Sequence, residues 1–214
     1  MRIQKFGHAC LLVTSGDGDA AIRVLTDPGV WSPGFEDLRG IAAVLITHQH
    51  ADHLDVDRLE TLLDANSDAV VLADAGSIEQ LGGRGITATA VAGGARHDIG
   101  GLSVEVIGDQ HALIHADVPL VPNVGYLIGG RLFHPGDALT VPEQPVQILA
   151  LPTAAPWMKL AEGVDYLRAV APRVAVPIHD KTLAHPEMDY RRYADLAPEG
   201  STVTALDDGV PRQF

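Results

Sequence analysis

The chain has 214 residues, 46% hydrophobic and 20% charged, a composition that supports a sizeable core and gives no sign of a disordered tail. Its formal charge of −13 speaks against long nucleic acid as a partner, because phosphate contacts need clustered Lys and Arg and the only adjacent basic pair is Arg191-Arg192. A single cysteine, Cys10, excludes an intramolecular disulfide, and no apolar run approaches the roughly 20 residues that cross a bilayer. With an N-terminus that lacks the apolar core of a signal peptide, these features lead us to expect a cytoplasmic protein without a membrane partner.

Taken in order, the chain opens as a hairpin. Phe6 to Val13 and Ala21 to Leu25 are apolar runs around the turn-forming Ser15-Gly16-Asp17-Gly18-Asp19. Trp31 to Gly40 reads as a loop. Ile41 to Ile46 is a short branched run expected to be a buried strand. The helical spacing of Val56, Leu59, Leu62 and Leu63 predicts an amphipathic helix over 55–65. A strand over Ala69–Ala73, a short helix near Ser77–Leu81 and strands over Ile86–Val91 and Leu102–Ile107 follow. Val124–Ile128 and Arg131–Phe133 form a second hairpin around Gly129-Gly130. Strands are expected at Val146–Leu151, Arg173–Ile178 and Ser201–Leu206, with helices near 161–170 and 187–196. Nothing marks a linker, so one domain over 1–214 is expected.

The chemistry is concentrated in Thr47-His48-Gln49-His50-Ala51-Asp52-His53, directly after the run ending at Ile46. His48 and His50 are two apart, so on extended backbone they point the same way and can grip one ion. Asp52 and His53 follow where the chain leaves the strand and can turn toward a second. Neutral imidazole with carboxylate suits zinc, manganese or iron. Further candidates lie downstream: His111 and His115, Asp137 in His134-Pro135-Gly136-Asp137, and His179 after Val174-Ala175-Val176-Pro177-Ile178.

This HxHxDH pattern, followed by a later His, a Gly-Asp pair and a His ending a late strand, resembles the metallo-β-lactamase superfamily. Gly7-His8-Ala9 and Thr26-Asp27-Pro28 are similar to the branch that contains ascorbate-6-phosphate lactonase. The resemblance implies an α/β fold, an αββα sandwich of two mixed β-sheets flanked by helices. It implies two divalent metal ions per chain, zinc first and manganese or iron as alternatives. The implied first-metal ligands are His48, His50 and His111, with His115 as the competing third ligand. Asp52, His53 and His179 would hold the second metal, and Asp137 would bridge the two. The implied activity is a dinuclear metal-dependent hydrolase that uses a metal-bridging hydroxide on an ester, lactone or phosphodiester of a small, anionic substrate. An iron-dependent oxidoreductase or a non-catalytic metal-binding protein are the competing readings; oligomeric state is left open.

Other residues are assigned by position. Asp52, His8 and His115 are candidates for a catalytic or pocket role. Asp27, at a strand end, is expected to receive the second N–H of a ligating imidazole, with an ordinary turn residue as the alternative. His134 is either a structural hydrogen-bonder or a pocket residue. Trp31 and Trp157 are candidate pocket walls, and Lys159 a candidate anion contact. His97 reads as solvent-facing.

Overall fold

Branched apolar runs bounded by Gly, Pro and Asp give most of the strands, and runs with helical spacing give the helices. The computed structural model describes residues 1–206 and 208–214. Strands β1 (Arg2–Lys5), β2 (Leu11–Ser15), β3 (Ile22–Thr26) and β4 (Ala43–Ile46) lead into helix α1 (Val56–Asp64), β5 (Val70–Ala73), α2 (Ser77–Gly82) and β6 (Thr89–Ala90). The chain continues through β7 (Arg96–Ile99), β8 (Leu102–Ile107), β9 (Gly125–Ile128), β10 (Leu132–His134) and β11 (Ile148–Pro152). It finishes with α3 (Leu160–Val170), β12 (Val174–Ile178), α4 (Pro186–Leu196), β13 (Thr202–Val203) and β14 (Arg212–Gln213).

Among the described residues two seven-stranded sheets result, ordered β14-β1-β2-β3-β4-β5-β6 and β13-β12-β11-β10-β9-β8-β7. Both are mixed. In the first, β1–β2 and β2–β3 pair antiparallel, while β3 through β6 run parallel. In the second, β7 through β10 alternate and β10 through β13 run parallel. Leu11, Val13, Val24 and Leu45 of the first sheet meet Val104, Tyr126, Ile148 and Val176 of the second in a buried layer between them. Leu59, Leu62 and Leu81 of α1 and α2 cover the outer face of the first sheet against Leu25, Val44 and Ile46. Val164, Leu167 and Tyr193 of α3 and α4 cover the second against Leu149, Leu151 and Ala175. This is the αββα sandwich. All four residues of β4 are buried, as expected for a strand covered on both faces, which is why its sequence is apolar without alternation.

Three expected elements differ. Phe6–Val13 is not one strand: Gly7 and His8 take positive φ, Cys10 N–H bonds to Gly7 O at 3.0 Å, and the strand begins only at Leu11. Ile86–Val91 shrinks to Thr89–Ala90, and Ser201–Leu206 to Thr202–Val203. β7 was not anticipated, because Arg96-His97-Asp98 is polar and lies at a sheet edge; His97 is half-buried there instead of facing solvent.

The topology aims one set of strand ends at one place. β1, β3 and β4 share a direction in their sheet, as β8, β10 and β12 do in the other. The segments leaving the C-terminal ends of these six strands carry the residues considered next.

Candidate metal centre

His8 follows β1, Asp27 follows β3, and Thr47 to His53 follow β4; His111, Asp137 and His179 follow β8, β10 and β12. The ligand-capable atoms of His8, Asp52, His53 and His179 lie within 4.8 Å of one another, as do those of His48, His50, His111 and Asp137. Asp137 stands between the groups. Its Oδ1 is 3.0 Å from His53 Nε2, and its Oδ2 is 3.1 Å from His179 Nε2 and 3.5 Å from His111 Nε2.

Four atoms test whether metal fits. His53 Nε2, His111 Nε2, His179 Nε2 and Asp137 Oδ1 are buried and have no hydrogen-bond partner among the described residues. Buried polar atoms are ordinarily satisfied, so four orphans converging on one another need an absent partner. Imidazole nitrogens and carboxylate oxygens are the donor set of zinc, manganese or iron. The residues fit divalent ions in both groups.

The far side of each ring is anchored. His53 Nδ1–H donates to Asp27 Oδ2 at 2.7 Å, His111 Nδ1–H to Ala112 O at 2.6 Å, and His179 Nδ1–H to Ala154 O at 2.6 Å. These bonds fix the tautomer that leaves Nε2 bare for a ligand. Asp27, fully buried, also accepts Thr47 N–H at 2.8 Å and Thr47 Oγ1–H at 2.7 Å. His8 is turned the other way: its Nδ1 faces Lys181 N–H at 3.4 Å, and its Nε2 lies 3.1 Å from Asp52 Oδ2.

Backbone strain is concentrated here. Among the described residues four non-glycines have positive φ, and His8, Asp27 and His179 are three of them. Such conformations cost about 1–3 kcal/mol each and persist where surrounding contacts impose them. Gly136, at φ +64, carries the same turn before Asp137; a Cβ there would strike Asn123 Oδ1 and the Thr47 side chain. Asn123 Oδ1 accepts Asp137 N–H at 2.9 Å. A Cβ on Gly29 would enter the Asp52 backbone.

The electrostatics divide the rings. Burial pushes His8 down to about 4, and burial with neighbouring imidazoles pushes His48 well below and His50 below the usual range, so these are neutral at pH 7. For His179, burial is outweighed by Asp137 and Asp52, which raise it to about 9; Asp137 and Asp27 likewise outweigh burial at His53 and hold it well above its ordinary value. The carboxyls of Asp137 and Asp52 are held well down, against burial, by the adjacent histidines. Without metal, the facing carboxylates therefore favour a proton on His53 and His179 on the side where metal ions would sit.

The remaining expected residues fall around this centre or away from it. His50 and Asp52 are half-buried while the other donors are buried, so the centre opens to solvent on their side. Trp31, half-exposed, meets the His8 ring edge-on at 4.8 Å. Trp157 lies 5.9 Å from the His111 ring and donates Nε1–H to Asp137 Oδ2 at 2.9 Å. His134 is fully buried behind the site, donating Nε2–H to Ala9 O at 2.8 Å and accepting Gly136 N–H at 3.2 Å, which makes it a structural hydrogen-bonder and not a pocket residue. His115 is not brought to the site: its exposed ring accepts Asp117 N–H at 3.1 Å in the loop after β8. Lys159 is exposed at the start of α3, its backbone N–H bonded to Glu162 at 2.6 Å. Sequence reasoning missed Thr47 and Asn123 as supports; nothing local signals a carboxamide that acts across 14 positions.

Residues 2–179 match the family model described as the beta-lactamase superfamily domain. The chain belongs to the metallo-β-lactamase superfamily. It is 49% identical to Protein Rv0786c of Mycobacterium tuberculosis over 86% of each chain. It is also similar to the UPF0173 metal-dependent hydrolase MJ1163 of Methanocaldococcus jannaschii, 26% identical over 90% of each. Among solved structures, Igni18, a metallo hydrolase from Ignicoccus hospitalis, superposes with a TM-score of 0.73 at 21% identity, covering 100% of this chain and 98% of that one; this likeness is one of fold.

Proposed function

We propose that the protein cleaves an ester, lactone or phosphodiester bond of a small substrate, with one divalent metal ion in each group and Asp137 shared between them. The observation that carries this reading is the convergence of four buried, unpartnered donor atoms on two adjoining four-residue groups. Divalent ions, if held there, would supply a Lewis acid and an activated water. The chain's own residues prepare the rest. Asp27, Ala112 O and Ala154 O hold three imidazoles in the ligating tautomer. His8, neutral and with Nε2 beside Asp52 Oδ2, orients that carboxylate at the open side of the centre. Trp157 fixes Asp137 through its indole N–H, and Trp31 walls the opening beside His8.

Zinc is the first candidate metal, and an anionic substrate the first candidate class. For the latter, Lys159, two positions after Trp157, supplies a point charge. The branch resemblance supports a lactone as the first compound to try. The test is metal analysis of purified protein, followed by zinc- and manganese-loaded enzyme against lactones, phosphodiesters, thioesters and simple esters. Turnover of one class, abolished by chelation and restored by metal, is the expected result. Iron with a visible absorption band and no hydrolysis would favour the oxidoreductase reading instead.

A further inference from the structure

Behind the second group lies a buried charged cluster that the proposed reaction does not use. Lys5 Nζ pairs with Asp180 Oδ2, and Tyr190 O–H donates to the same oxygen; the Lys5 and Asp180 side chains are only 3% and 7% exposed. A buried ion pair is weak evidence for stability, since well-packed apolar residues often serve as well. Its place in the chain is more telling. Asp180 directly follows His179, and Lys5 ends the strand that leads to His8. Lys5 belongs to the first sheet, Asp180 follows β12 of the second, and Tyr190 lies on α4.

Two more bonds tie the same segments together: His179 N–H to His8 O at 3.1 Å, and Lys181 N–H to His8 Nδ1 at 3.4 Å. The two histidines so joined are both in the left-handed conformation, which relaxes unless neighbouring contacts impose it. The donors of the other group, His48, His50, His111 and Asp137, have no hydrogen bond to this cluster among the described residues.

We infer that Lys5, Asp180 and Tyr190 are positioning residues that hold the His179 and His8 turns in register, and so set the metal affinity of the second group without setting that of the first. The inference rests on the proposal that both groups take metal, and the experiment separates the two. Metal binding is followed by calorimetry and by metal content after stepwise chelation, on wild type, on the double variant Lys5→Met/Asp180→Leu, and on Tyr190→Phe. The double variant replaces the pair with apolar side chains, so a merely structural role predicts unchanged or higher melting temperature and unchanged metal.

We expect wild type to bind two ions. The double variant should melt like wild type when metal-free, bind one ion normally and bind the second about 10- to 100-fold more weakly. Tyr190→Phe should show the same selective loss, about severalfold, and decides the matter if the double variant fails to fold. Two ions bound with wild-type affinity in the variants, or equal weakening of both, would overturn the inference. A wild type that binds fewer than two ions would instead sink the functional proposal on which it rests.

Discussion

Asp27 illustrates how far the site depends on a residue outside both donor groups. It accepts three hydrogen bonds at 2.7–2.8 Å, from His53 and twice from Thr47, while fully buried. Asp27→Asn keeps the size but replaces one acceptor oxygen with a donor, which forces His53 toward the other tautomer or breaks a Thr47 bond. We expect metal affinity to fall about 10- to 100-fold, with the loss greater in the group that contains His53. Equal affinities by calorimetry would show that the ring is held by packing alone. His111 and His115 make a sharper contrast, because one points its bare Nε2 at Asp137 and the other sits exposed on a loop. His111→Ala should lose metal under mild chelation, whereas His115→Ala should keep it and melt within about 1–2 °C of wild type, as surface changes usually do.

At the scale of elements, Tyr126 in β9 sends its hydroxyl across the sandwich to Ile46 O at 2.9 Å and Leu72 O at 3.2 Å, tying the second sheet to the ends of β4 and β5. Tyr126→Phe should cost about 1–2 kcal/mol. At roughly 2–4 °C per kcal/mol for a domain of this size, a thermal melt would resolve it. A melting point unchanged by the substitution would mean that packing of the ring carries the whole tie. Of the strands that carry the chemistry, β4 and β12 were legible because they are buried on both faces along almost their whole length, and an uninterrupted apolar run is hard to mistake, whereas β1, short and with alternating polar residues, was not. β7 and β14 were not, since edge strands of two to four residues with at most one apolar side chain leave no periodic signal. The break at Gly7-His8 was missed for another reason: hydrophobic pattern is blind to φ, and Phe6, Ala9 and Cys10 are all buried through the turn. The His48–His53 run is local, so spacing alone could suggest it. His8 sits 44 positions from the Asp52 that it meets, and only the pairing of β1 with its sheet brings them together.

For the whole molecule, the charged state of the centre sets a pH dependence. His179 rises from an ordinary 6.5 to about 9 in the fold, despite burial, because Asp137 and Asp52 face it. A raised pKa contributes stability that is complete below the unfolded value and is lost as pH climbs through the folded one. Metal-free protein should therefore lose stability between pH 6.5 and about 9, while metal must displace the same proton in order to bind. The gain in melting temperature on adding zinc should grow across that window. A gain that is flat or shrinking from pH 6.5 to 9 would contradict the assignment of a proton to this ring. Asp137 and Asp52 act in the opposite sense: their depressed values contribute stability above the usual carboxylate range, which is lost on acidification.

The two sheets divide the chain almost cleanly by position. Apart from β14, the first is built before residue 91 and the second after residue 95. The first brings His8, His48, His50, Asp52 and His53 to the centre, and the second brings His111, Asp137 and His179. Neither half owns a complete group. Metal bound there would act as a clasp between two lobes, with part of its binding energy going into keeping them shut. Hydrogen exchange should register this as a gradient: stripping metal should speed exchange most for amides that cross the seam, such as Val124 N–H to Thr47 O and His179 N–H to His8 O, and least within β8 and β9. Fragments cut between β6 and β7 would then re-associate more tightly with zinc than without it, each half supplying what the other lacks.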